Sequence, residues 1–144
     1  MDLTTEEIFN FIEIRNIDSL KEAIELGFPV DSLSQVSQSN ALHVSIEEDY
    51  PEIVDYLIGV GADIEKIVHG LTPLQHAVDI KCLMMRDDEE QEGKFDVIKI
   101  LLSNGASIYS RGGIDKSALE IAEQYQYDSL VNLLKFNYVD KDRD

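Results

Sequence analysis

The chain has 144 residues, 44% of them hydrophobic and 28% charged, with 29 acidic against 12 basic side chains and a net charge of −17. That length suits one domain, 1–144, with a buried core, and the charge argues against nucleic acid and anionic membrane surfaces, which are held mainly by Lys and Arg. Cys82 is the only cysteine, no run approaches the roughly 18 apolar residues of a membrane span, and the acidic start Met1 to Glu7 lacks the features of a secretion signal, so a reducing, cytoplasmic setting is expected.

In chain order, Leu20, Ala23 and Ile24 give the first buried helical stripe, which runs into Leu26-Gly27-Phe28-Pro29-Val30. Asn40-Ala41-Leu42-His43-Val44-Ser45 opens the next helix, with Asn40 as its N-cap. Pro51 opens its partner, whose stripe of Ile53, Val54, Leu57 and Ile58 ends at Gly61-Ala62-Asp63-Ile64. Thr72-Pro73-Leu74-Gln75-His76-Ala77 repeats the opening phrase, with Thr72 as cap and Pro73 at the first helical position, where a missing N–H costs nothing. After an insertion at about 81–92, Phe95, Val97, Ile98, Leu101 and Leu102 form a stripe that ends at Gly105-Ala106-Ser107-Ile108. Ser117-Ala118-Leu119-Glu120-Ile121-Ala122 opens the last pair, closed by Leu130, Val131, Leu133 and Leu134.

The glycines at 27, 61 and 105 are 34 and 44 residues apart, so the period is near 33 once the insertion of about a dozen residues is removed. Each glycine follows a helix, where a left-handed residue closes the end without a Cβ clash. Two short helices cannot bury both faces alone, so neighbouring pairs must stack. These phrases resemble the ankyrin repeat. Thr72 to Ala77 matches its T-P-L-H-x-A opening except for Gln75 in place of His; Asn40 to Ser45 keeps the His as His43, and Ser117 to Ala122 keeps the hydroxyl, Leu and Ala. The resemblance implies an all-α solenoid of about four helix–turn–helix repeats with short hairpin loops, at roughly 3–35, 36–67, 68–111 and 112–138, with a charged tail at 139–144.

It also implies a binding role. In the family, hairpin tips and the first helix of each pair line a concave surface. By register those positions are Val36, Ser37, Ser39, Glu47 and Glu48 in the second repeat, Val68, His69, Leu71, Asp79 and Ile80 in the third, and Gly113, Ile114, Lys116, Gln124 and Tyr125 in the fourth. Apolar residues mixed with carboxylates suit a protein interface. The insertion adds Leu83, Met84 and Met85 ahead of the acidic run Asp87-Asp88-Glu89-Glu90. Its apolar half is either an adaptable partner anchor or packing against the fourth repeat.

Catalytic chemistry has little support. His43, His69 and His76 show no metal-ligand spacing, His43 reads as the repeat's structural histidine, and no phosphate-binding glycine loop occurs. No cofactor, metal or enzymatic activity is expected. The leading expectation is a stand-alone, monomeric binder that presses an acidic face onto a basic protein and blocks it, similar to an immunity protein that inhibits a toxin. The alternatives are an adaptor, a host-directed effector, or a homo-oligomer joined through Tyr125, Tyr127, Phe136 and Tyr138.

Overall fold

The computed structural model of the chain describes residues 3–84 and 91–137. Among these residues there are eight α-helices in four consecutive pairs, and the only β-type pairing is one isolated bridge. The pairs are α1 (Thr5–Glu13) with α2 (Ile17–Glu25), α3 (Ala41–Glu47) with α4 (Pro51–Gly59), α5 (Pro73–Met84) with α6 (Asp96–Ser103), and α7 (Ala118–Gln124) with α8 (Asp128–Asn137). One pair falls in each of the four repeats read from the sequence. They gather into two compact units, Met1–Asp63 and Ile64–Asp144, with two pairs in each.

A side chain caps the start of α1, α2, α3, α5 and α7, whereas α4 and α6 start without one. The Asn40 side-chain oxygen accepts the His43 N–H at 3.0 Å. Ser117 and Glu120 form a capping box, each side chain accepting the other's backbone N–H. The first repeat lacks the family's opening phrase, and Thr4 with Glu7 supplies an equivalent box for α1. Such a cap stabilises a helix by about 1 kcal/mol. At the other end, the Gly105 N–H donates to Leu102 C=O at 3.0 Å and the Ala106 N–H to Leu101 C=O at 3.0 Å. This pairing satisfies two orphan carbonyls and requires the φ of +89° that Gly105 adopts. The same bonds recur after α2 and α4.

The buried stripes do the packing. In the N-terminal unit α1 packs on α2 and α3, and α3 on α4, around fully buried Ile8, Ile12, Leu20, Leu42, Ile53 and Leu57. In the C-terminal unit α5 packs on α6 and α7, and α8 on α6 and α7, around Leu74, Ile98, Leu101, Leu130 and Leu134. Each such side chain contributes about 1.5–3 kcal/mol by leaving water. A repeated bond ties adjacent loops. The carboxylate four residues past one closing glycine accepts the N–H two residues past the next, as Asp31 from Asp63 at 3.0 Å and Glu65 from Ser107 at 3.0 Å.

Candidate functional site

In the N-terminal unit the second repeat's tip is organised around Ser34. Its backbone N–H donates to Ser39 C=O and its C=O accepts from Gln38, both at 2.8 Å, which closes the turn. Its hydroxyl accepts the N–H groups of Val36 and Ser37 at 3.1 Å each and donates to the Glu6 carboxylate. That bond holds the Glu6 pKa below the ordinary carboxylate value. The arrangement displays Val36, which is 85% exposed, and Ser37 beside it. Ser39 is a correction to the sequence reading: it is buried and offers no surface to a partner.

At the end of α3, Glu47 is exposed and Glu48 half-buried. The Glu48 C=O accepts from the Arg15 guanidinium at 2.9 Å, and that guanidinium lies 4.4 Å above the Tyr50 ring. Lys21 sits 5.4 Å above Tyr56. Arg15 and Lys21 are the only basic residues over 1–63, against fourteen acidic ones, a balance of −12. Both cations therefore lie against this unit's own tyrosines.

In the C-terminal unit the third repeat's tip is a two-residue hairpin. Val68 and Leu71 exchange backbone bonds at 2.9 and 3.1 Å, and His69 and Gly70 both take positive φ, 54° and 82°. His69 is exposed and Leu71 half-buried. Val68 is a second correction, since only 4% of it is exposed. The fourth repeat's tip docks on this one backbone to backbone, the Gly113 N–H donating to Gly70 C=O at 2.7 Å. A Cβ on Gly113 would lie 3.0 Å from Gly70 Cα, and one on Gly112 would overlap the Gln75 Oε1. Gly113 thus closes an internal contact as well as presenting an exposed backbone.

Gln75 fastens this tip, a role that sequence reasoning did not assign to it. Fully buried, it accepts the Thr72 N–H at 2.7 Å, and its Nε2 donates to Lys116 C=O, 41 residues away, at 2.8 Å. The i, i+3 spacing from Thr72 is the sequence signal for the first of these bonds. Lys116 is half-buried, and its ammonium bonds the exposed Gln124 side chain. Ile114 and Tyr125 are 38% and 47% exposed, while Asp79 and Ile80 are half-buried. Tyr127 is a third correction. It is buried, with its ring edge-on to Phe95 at 5.8 Å, so it cannot join an aromatic docking end, although Phe136 is 84% exposed.

The insertion lengthens α5 to 12 residues, against 7 for α3 and α7. On the added turn Leu83 and Met84 are 64% and 76% exposed, so packing against the fourth repeat does not cover them. Met85 and the acidic run at 87–90 lie outside the described residues. Burial, together with the charge on Asp79, pushes the Cys82 thiol up to about 11, which keeps it protonated at neutral pH.

Residues 69–112 match the sequence profile of the ankyrin repeat. The fold is similar to the ankyrin-repeat domain of Bcl-3, a member of the IkappaB family, with a TM-score of 0.71 at 15% identity, covering 90% of this chain and 50% of that one. The chain is an ankyrin-repeat protein with an all-α solenoid fold. Such repeats are a protein–protein interaction module. Among curated relatives, XBAT34 of Arabidopsis thaliana, by name a candidate E3 ubiquitin-protein ligase, is 21% identical over 90% of this chain and 32% of its own length. The ankyrin repeat and KH domain-containing protein mask-1 of Caenorhabditis elegans is 30% identical over 83% of this chain and 4% of its own length. The chain thus spans about a third of one relative and a small fraction of the other.

Proposed function

We propose that this protein is a non-catalytic module that docks a basic protein on the carboxylate-bearing tip and first-helix positions of its N-terminal unit, and that it blocks that partner in the manner of an immunity-type inhibitor. The observation that carries this reading is the charge balance of −12 over residues 1–63, where Arg15 and Lys21 are both drawn against tyrosines. A field of one sign steers an oppositely charged partner and raises its association rate. Val36 and Ser37 at the tip, with Glu47 and Glu48 at the end of α3, supply an apolar and an acidic contact within one repeat. The proposed setting is the cytoplasm, with the protein as a monomer; a lone cysteine that stays protonated suits a reducing compartment.

The test is capture from source-cell lysate, washed at low and then high salt, with the Glu47→Lys/Glu48→Lys variant in parallel. One stoichiometric basic protein, released by salt and lost with the variant, is the expected result. With that protein in hand, charge reversal should slow association roughly tenfold and flatten its salt dependence while helicity is unchanged. Unaltered association kinetics would remove α3 as the docking face. A partner that keeps full activity in the complex would reject blocking and favour an adaptor.

A further inference from the structure

The face of α1 away from buried Ile8, Phe9 and Ile12 is not uniformly polar. Glu7, Asn10, Phe11 and Ile14 follow at i, i+3, i+4 and i+7, and Ile14 is 60% exposed. Three open cavities meet along this face. One of about 400 Å³ lies over Glu6, Glu7, Asn10 and Phe11. A smaller one of about 90 Å³ sinks between Leu3, Phe11, Ala23 and Leu26. A third of about 420 Å³ runs from Leu3 and Glu6 past Phe28 to Leu33 and Val36. Phe11 lines the first two and Leu3 the last two, so they form one trough. Leu26, in the second cavity, and Val36, in the third, are 68% and 85% exposed. The lining holds three carboxylates, Glu6, Glu7 and Glu22, and no cation.

We infer that this trough is a second docking groove, and that its occupant is a Lys/Arg-flanked amphipathic segment of a protein partner. The apolar side chains of that segment would seat on Phe11, Leu26 and Val36, and its cations would meet Glu6, Glu7 and Glu22. Charge selects this occupant. A second copy would bring another unit of −12 against the same rim, and nucleic acid would bring phosphates. An uncharged apolar segment would fill the floor and leave the rim's negative charge unneutralised, since Glu6 and Glu7 accept only from neutral hydroxyl and backbone donors. Exposed apolar surface rimmed by polar groups is what interaction sites present. The inference rests on the basic-partner reading and deepens it by adding Phe11 and Leu26, which lie outside the second repeat, to the second-repeat contact at Val36.

The test uses the whole 144-residue chain, isotope-labelled for amide NMR, and three synthetic peptides: Leu and Lys at helical spacing, the same with Glu for Lys, and the same with Ser for Leu. The Leu/Lys peptide should shift amides within 3–36, and its affinity should fall at least tenfold between 50 and 300 mM NaCl. Leu26→Ser/Val36→Ser, changes at exposed positions, should weaken it at least tenfold with no change in the melting midpoint. Shifts confined to the region of Glu47 and Glu48 would overturn the trough while leaving the basic-partner reading standing. Equal binding of the Ser/Lys peptide would overturn the apolar floor, and equal binding of the Leu/Glu peptide the charge selection. Binding by none of the peptides, or self-association relieved by the double variant, would also overturn it. The lysate capture with Glu47→Lys/Glu48→Lys reports on the basic-partner reading independently.

Discussion

The two units share a construction and differ in what their tips are made of. Both stack two helix pairs, close a second helix with a left-handed glycine (α2 and α4 in one, α6 in the other) and tie adjacent loops through a carboxylate at the same register position. Yet the N-terminal unit carries −12 and the C-terminal unit, with ten basic against fifteen acidic residues, only −5. The N-terminal unit fixes its tip with an exposed carboxylate, Glu6, bonded to the Ser34 hydroxyl. The C-terminal unit fixes its tips with a buried amide, Gln75, and a glycine backbone contact. A repeat's register dictates its caps and core stripes, and it leaves the tips free to be fastened by whatever chemistry the local surface allows. Where the fastening is charged and solvent-facing, the tip is also available to a partner.

The largest expected effect follows from the buried fastening. Gln75→Ala leaves the Thr72 N–H and the Lys116 C=O without the bonds that Gln75 gives them, and each lost buried bond costs roughly 1–3 kcal/mol. Urea unfolding should show a loss of about 3 kcal/mol, by the same reckoning. Amide exchange should quicken in residues 64–137 and stay unchanged in 3–63. A loss below about 1 kcal/mol, or uniform quickening, would mean that Gln75 is not the fastening.

That residue also marks the boundary of what the sequence revealed. Caps at Asn40, Thr72 and Ser117, closing glycines and buried stripes are all local, involving partners within five residues, and periodicity exposes them directly. Gln75 stood out only as a departure from the repeat's usual histidine, because its second partner lies 41 residues on. Gly113 read as surface because its approach to Gly70 depends on two tips meeting. Ser39 and Val68 sit at tip positions by register, but the turn folds them inward. The trough along α1 was missed for a different reason. Phe11 lies on a helix that also holds buried Ile8 and Ile12, and the first stripe read from the sequence begins only at Leu20, so the faces of that helix went unread.

A smaller effect, specific to the N-terminal unit, is its acid response. The Glu6 pKa is depressed in the folded state, chiefly by the Ser34 hydroxyl, so the unfolded chain binds this proton more readily. The bond's contribution is fully present above the ordinary carboxylate value of 4.5 and is lost as pH falls through the lower folded value. Ser34→Ala should raise the Glu6 pKa toward its ordinary value, followed by side-chain NMR, and should loosen the Val36 and Ser37 amides at neutral pH. No counterpart is expected at the Gly70–Gly113 contact, which holds no ionisable group. A Glu6 titration unchanged by Ser34→Ala would erase this distinction between the tips.

The finest comparison concerns α1, α3 and α7, which end at left-handed residues that are not glycine. Arg15 and Gln126 take φ of 60° and 57°, and each is followed by the same pair of backbone bonds that closes the second helices. A non-glycine residue there costs roughly 1–2 kcal/mol, partly returned by the greater unfolded-state entropy of glycine. Gln126→Gly should therefore stabilise the C-terminal unit by about 0.5–1 kcal/mol in urea unfolding. Arg15→Gly relieves the same strain but gives up the contact over Tyr50 and the bond to Glu48 C=O. Those together are worth about 1–2 kcal/mol at exposed sites, so it should be neutral or slightly destabilising. Equal gains from both substitutions would mean that Arg15 is held in place by nothing more than the turn. Its position over Tyr50 would then be incidental, and the N-terminal unit would have a cation free to oppose a basic partner, which weakens the charge argument for docking there.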